Sequence, residues 1–268
     1  MGIHRNIRRK KTNKILPHGS RTRFYKESDD SIAGVNWDIE KSEVLWQMCD
    51  TLDRPDSSFI DHTVSLYDLT VSPYESLMLG VFAIFRGPEN NICEEIGVPR
   101  IIDLEVGYSR DGFHSSRPDR TPFLQSLRKE GTWNRAYLHA VDGQCLIVDG
   151  KLYFYFTGFS GNSPKLGKTG RGYPGRSRRV MYAGASTGLA TIRRDGFAFM
   201  YTVESTGILT TRPLLFSGKY LFVNIACPEG ELKVEILDRV FKVIHGFTSD
   251  KCVPVIEPHK TPDSCLEM

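Results

Sequence analysis

The 268-residue chain contains no apolar run approaching the ~20 residues that a helical membrane span requires. It also lacks an apolar core near the N-terminus of the kind that directs secretion, so the default expectation is a cytoplasmic chain with no membrane partner. The six cysteines (Cys49, Cys93, Cys145, Cys227, Cys252 and Cys265) are widely scattered, and no two stand at C-x-x-C spacing. That argues against a zinc or redox site and leaves buried thiols in a reducing compartment, with no metal expected. No window of helical length shows a clean apolar stripe at i, i+3, i+4 and i+7 against a polar face, which argues against amphipathic helices. Acid is missing locally. Residues 1–26 hold nine Lys or Arg and no Asp or Glu, and residues 160–179 hold six and again none.

The net charge of +3 therefore hides an asymmetry: outside these two segments, 20 basic residues face 32 acidic ones. A nucleic-acid binder would spread basic charge over its folded surface, so nucleic acid is not an expected partner. Residues 1–30 read as a solvated or disordered basic segment, because blocks such as Arg8-Arg9-Lys10-Lys11 repel and stay open. Residues 160–179 read as a long Gly-rich basic loop. Gly167-Lys168-Thr169 matches the end of a phosphate-binding loop, but Asn162 stands where the leading glycine is needed, so no nucleotide cofactor is expected.

From about residue 35 the chain becomes short apolar bursts between turn residues. The longest, Leu77 to Phe85, is nearly continuous and ends at Gly87-Pro88. Ile101 to Tyr108 partly alternates, with Leu104, Val106 and Tyr108 on one face, and runs into Asp111-Gly112, a hairpin dipeptide. Cys145–Val148 and Leu152–Phe156 flank Asp149-Gly150 as a second hairpin. Tyr220–Asn224 and Leu232–Leu237 flank Pro228, Glu229 and Gly230 as a third. These aromatic and β-branched runs suit pleated, half-buried surfaces, and the residue pattern specifies an all-β fold: a propeller, barrel or sandwich.

Tyr74-Glu75-Ser76-Leu77-Met78-Leu79-Gly80 and Gly107-Tyr108-Ser109-Arg110-Asp111-Gly112-Phe113-His114 resemble segments of the five-bladed propeller hydrolases of glycoside hydrolase families 32 and 43. The second is similar to their S-x-D-G-x-x-W hairpin, with Ser116 in place of the tryptophan. Gly188 to Phe197 looks like the end of the propeller in an uncharacterised branch of that group, and Leu209 to Asp238 resembles the start of the accompanying β-sandwich. The resemblance covers roughly residues 20–255. It implies a partial propeller over residues 31–195, followed by a sandwich-like segment over 196–268.

The same resemblance implies three acids from different blades meeting at a central funnel. Glu75 matches the general acid, and apolar neighbours such as Tyr74 and Leu77 would favour its protonated form. Asp103, His139, Arg135 and Trp133 are further candidates for contact with sugar, His139 and Trp133 because they stand in an aromatic, polar stretch with Tyr137. Trp46, Trp133 and Tyr137 are candidates for stacking on a pyranose or for core packing. The first-blade nucleophile or base and the second acid have no visible match, since residues 1–26 contain no acid. A lone acid without an opposing carboxylate cannot manage both the water and the developing positive charge.

Two readings follow. One is a truncated glycoside hydrolase homologue, acting on carbohydrate through paired carboxylates in its full-length form but weakly active or inactive here. The other is a non-catalytic carbohydrate-binding or protein-interaction module. A propeller missing blades exposes strand edges, so self-association is expected.

Overall fold

The structure, a computed structural model, describes residues 2–6, 21–25, 27, 32, 44–89, 92–93, 99–141, 145–161, 183–218, 220–256 and 264–266. Apart from a single helical turn at Ile92-Cys93, the regular elements among these residues are all strands. The chain divides into two compact units. The first comprises Met1–Leu146 and Tyr153–Ala190, the second Ile147–Leu152 and Thr191–Met268.

The first unit opens with a three-stranded antiparallel sheet, β1 (Gly2–Asn6), β2 (Arg21–Tyr25) and β3 (Val44–Gln47), in the order β1-β2-β3. Residues 2–6 and 21–25 of the basic N-terminal segment lie in this sheet. Phe24 pairs with Ile3 on one side and Leu45 on the other, and Thr22 and Arg23 are buried. Ladder pairing and aromatic contacts of Tyr25 with Trp46 and Phe113 outweigh the repulsion between like charges there. Arg8 to Lys11 lie outside the described residues, as do residues 162–179 of the basic loop.

The large sheet contains β4 (Ser65–Tyr74), β5 (Leu77–Gly87), β6 (Ile101–Ser109), β8 (Tyr137–Ala140), β10 (Lys151–Phe159) and β11 (Ala185–Arg193), in the order β11-β10-β8-β6-β5-β4. Two short strands sit off this path: β7 (Ser115–Ser116) pairs with β6 and β9 (Leu146–Val148) with β10. The β4–β5, β5–β6 and β8–β10 pairs are antiparallel, whereas β6 meets β8 in parallel at Ile102 and Tyr137. The sheet does not close on itself among the described residues.

The apolar run predicted at Leu77–Phe85 becomes the central strand β5, buried continuously from Leu79 to Gly87. A strand covered on both faces needs apolar residues at every position rather than at alternate ones. Phe82 and Ile84 pack with Leu66 on one face, joined by Cys49, Val64 and Leu69. The β4–β5 pairing slips at Tyr67: Leu66 faces Ile84, but Asp68 faces Ala83. That extra residue re-aims Asp68 toward the face opposite Leu66, the local effect of a bulge.

The hairpins at Asp111-Gly112 and Asp149-Gly150 form as expected. Gly112 has φ +77°, and Ser109 pairs with Ser115. Asp149 and Gly150 have φ +48° and +68°, as a tight turn between twisted strands requires. The third hairpin does not form. In the second unit β12 (Leu221–Val223) pairs with β15 (Ser264–Leu266), and β13 (Glu231–Leu232) with β14 (Val255–Ile256). Residues 236–244 instead fold back on themselves through Asp238, whose Oδ1 accepts from the amides of Val240 and Lys242. A short-range closure of this kind costs less loop entropy than the longer pairing, and it removes Ile236 and Leu237 from the expected ladder.

Candidate functional site

Alternation along β6 puts Leu104 and Val106 on one face, so Asp103 and Glu105 must share the other. Both acids have no exposed side-chain surface. Two buried carboxylates are tolerable only if cations and donors surround them, and arginines from three segments do so. From β5, Arg86 donates through Nε to Asp103 Oδ2 at 3.0 Å and through Nη2 to Glu105 Oε1 at 2.6 Å. Arg117 follows β7, donates to Glu105 Oε2 at 2.9 Å and grips both oxygens of Asp53 at 2.8 Å. Arg128 bridges two acids, from Nη2 to Asp103 Oδ2 at 2.5 Å and from Nε to Asp56 Oδ2 at 2.7 Å. Arg120 completes the network on Asp53 at 2.9 Å and Asp50 at 2.7 Å.

Local structure explains why these groups meet. Gly107 leaves room for Arg117, since a Cβ there would lie 2.7 Å from the Arg117 Cγ and 2.8 Å from the Phe82 ring. The guanidinium then stacks over Phe82 at 5.0 Å. Asp53 and Asp56 sit in a turn-rich stretch, and the Asp56 amide donates to the carbonyl of Arg86 at 3.1 Å. The 127–135 loop closes on itself through Leu127 N to Asn134 O at 3.1 Å and Arg128 N to Arg135 O at 2.6 Å. Gly131, at φ +85°, makes the turn.

The electrostatics follow from the packing. Burial opposes ionisation of Asp53, but Arg117, the Asp50 amide and Arg120 outweigh it and hold the carboxyl below its ordinary range. Burial likewise opposes ionisation of Asp56, and Arg128 and the Ser58 amide bring it below its ordinary value. For Glu105 burial prevails over Arg117 and Arg86, and the carboxyl lies above its usual range. Burial also pushes the Cys49 thiol up, with Asp53 adding to the effect.

Beside this network lies a cavity of about 500 Å³, walled by residues that include Asp56, Arg86, Asp103, Arg128 and Arg135. Its volume falls within the ~300–1,000 Å³ of small-molecule sites. Gln125 and Ser57 contribute further polar groups, and the rings of Pro55, Pro99 and Pro122 contribute flat apolar surface. Two of the candidates from the sequence, Asp103 and Arg135, are therefore brought together here.

The other candidates stand elsewhere. Glu75 occupies the exposed two-residue turn between β4 and β5, with φ +51°. His139 faces Asp68, with Nε2 3.0 Å from Oδ2. Arg23 pairs with the other oxygen of that carboxylate, and Tyr67 stands edge-on to His139. Trp133 lies over two glycines: a Cβ at Gly158 or Gly188 would come within 2.5 Å of its ring, and Phe156 packs beside it. Tyr137 is only 1% exposed and belongs to the core. Trp46 donates from Nε1 to the Phe113 carbonyl at 2.9 Å. Sequence reasoning passed over Asp53, Asp56, Arg86, Arg117 and Arg128. One signal for them was present: two acids two residues apart on a strand that is otherwise apolar demand cations from somewhere.

Among the described residues no group of three or more His, Cys, Asp or Glu side chains is arranged to hold a metal ion. No protein-family model, curated protein or solved structure matches the chain.

Proposed function

We propose that this chain is a carbohydrate-binding module that takes a sugar into the cavity beside Asp103, and that it binds without hydrolysing. In this reading the β4–β5–β6 strands and the β8–β10–β11 strands are two propeller blades joined by a parallel step, and residues 196–268 derive from a sandwich. The observation that carries the binding reading is the cavity wall. It holds guanidinium, carboxylate, amide and hydroxyl groups together with flat proline rings, and ion pairs fix Arg86, Arg128 and Asp103 within it. Preset polar groups of this kind match a ring of hydroxyls with little ordering cost on binding.

Hydrolysis is the second reading, favoured by the presence of two carboxyls, Asp56 and Asp103, at one cavity. Against it, Arg128 bridges both, and the ionised state of Asp56 is favoured. A glycosidase needs one of its pair protonated. A glycan array followed by calorimetry on the hits separates the two readings. Binding without release of reducing ends, unchanged in Glu75→Gln, is the expected result. Release of reducing ends that disappears in Asp56→Asn would replace this proposal with the enzymatic one.

A further inference from the structure

The cavity wall is unbalanced: Arg86, Arg120, Arg128 and Arg135 line it against the carboxylates Asp56 and Asp103. Three of these arginines are committed. Arg86 holds Asp103 and Glu105, Arg120 holds Asp50 and Asp53, and Arg128 holds Asp56 and Asp103. Arg135 is different. It is only 8% exposed, and its buried Nη1 has no hydrogen-bond acceptor among the described residues. Its ion partner, Glu130, is exposed and stands at 4.0 Å, beyond hydrogen-bond reach.

A buried guanidinium nitrogen without an acceptor costs free energy that an incoming anion recovers. The planar fork of arginine matches a carboxylate in two parallel hydrogen bonds, whereas a neutral hydroxyl offers one weaker acceptor. The backbone of Arg135 is already fixed by the Arg128 amide, so little further ordering is needed.

Resting on the carbohydrate reading, we infer that the ligand is an acidic sugar, a uronic acid, whose carboxylate pairs with Arg135 while its hydroxyls meet the remaining wall. Glu130 is the group that a uronate carboxylate displaces from Arg135.

The test is calorimetry on the full chain with glucuronate and galacturonate, their neutral counterparts glucose and galactose, and inorganic sulfate. At least one uronate is expected to bind about tenfold more tightly than its neutral counterpart, the value of one charge-assisted pair. Arg135→Gln should remove that preference, so that uronate and neutral sugar bind alike, with the circular dichroism spectrum reporting that the fold is intact. Glu130→Gln, a change at an exposed side chain, should tighten uronate binding by roughly the few-fold worth of an exposed ion pair. Neutral sugars binding as tightly as uronates would overturn the inference and leave the carbohydrate reading standing. Sulfate binding with no sugar bound would overturn both. If Arg135→Gln fails to fold, unchanged uronate affinity in Glu130→Gln overturns the inference.

Discussion

Glu75 and Gly107 illustrate opposite relations between a side chain and its backbone. Glu75 adopts φ +51° at the first position of its turn, a conformation in which a Cβ crowds the following carbonyl. Glycine carries no such cost and is favoured at the first position of a turn with a single positive φ. Glu75→Gly is therefore expected to raise stability by about 1 kcal/mol, read from urea unfolding. Gly107 has no room for the reverse change. An added methyl would meet the Arg117 Cγ at 2.7 Å and the Ser116 carbonyl at 2.9 Å. The arginine stem can yield, but the backbone oxygen cannot. Gly107→Ala should lower stability by about 1–3 kcal/mol in the same measurement.

At the scale of elements, strand β6 and the loops over it make stability depend on acid. Asp53 and Asp56 titrate below their ordinary range in the folded state. Such groups contribute stability that is fully present above the unfolded carboxyl value of about 4 and is lost as pH falls through the folded value. Glu105, raised by burial, works the other way: its contribution is present below its unfolded value and fades as pH rises through the folded one. Two lowered groups against one raised group predict a lower unfolding free energy at pH 3 than at pH 5, with Asp53→Asn reducing that difference. The strands themselves were legible. The continuous run at Leu77–Phe85 marked a central strand, and the Asp-Gly dipeptides marked hairpins, because burial and positive φ leave direct traces in residue type. The pairing of β12 left no such trace, since its partner is three residues near position 265, and short ladders carry almost no pattern. The ion network was half legible. Asp103 and Glu105 share a face by alternation alone, but their arginines come from positions 86, 117 and 128, and no period links those positions. Arg135 was singled out as a possible sugar contact; its buried, unmet donor became visible only in three dimensions.

For the whole molecule, the second unit sets the solution behaviour. Phe199, Val203, Ile208, Leu215 and Phe216 are 74–100% exposed within one stretch of chain. Exposed apolar side chains in such number seek cover. Static light scattering is expected to give a mass that rises with concentration, and a monodisperse monomer across the range would contradict it. In the first unit a single short loop carries Arg128, which holds the buried acids, Arg135, which faces the cavity, and Trp133 between them, seated on Gly158 and Gly188. Anything that settles against Arg135 therefore pulls on the loop bearing an indole. The intrinsic emission of Trp133 becomes a built-in gauge of occupancy, and a ligand that clamps this loop will delay thermal melting as it does so. A library of sugars can thus be screened on the unlabelled protein.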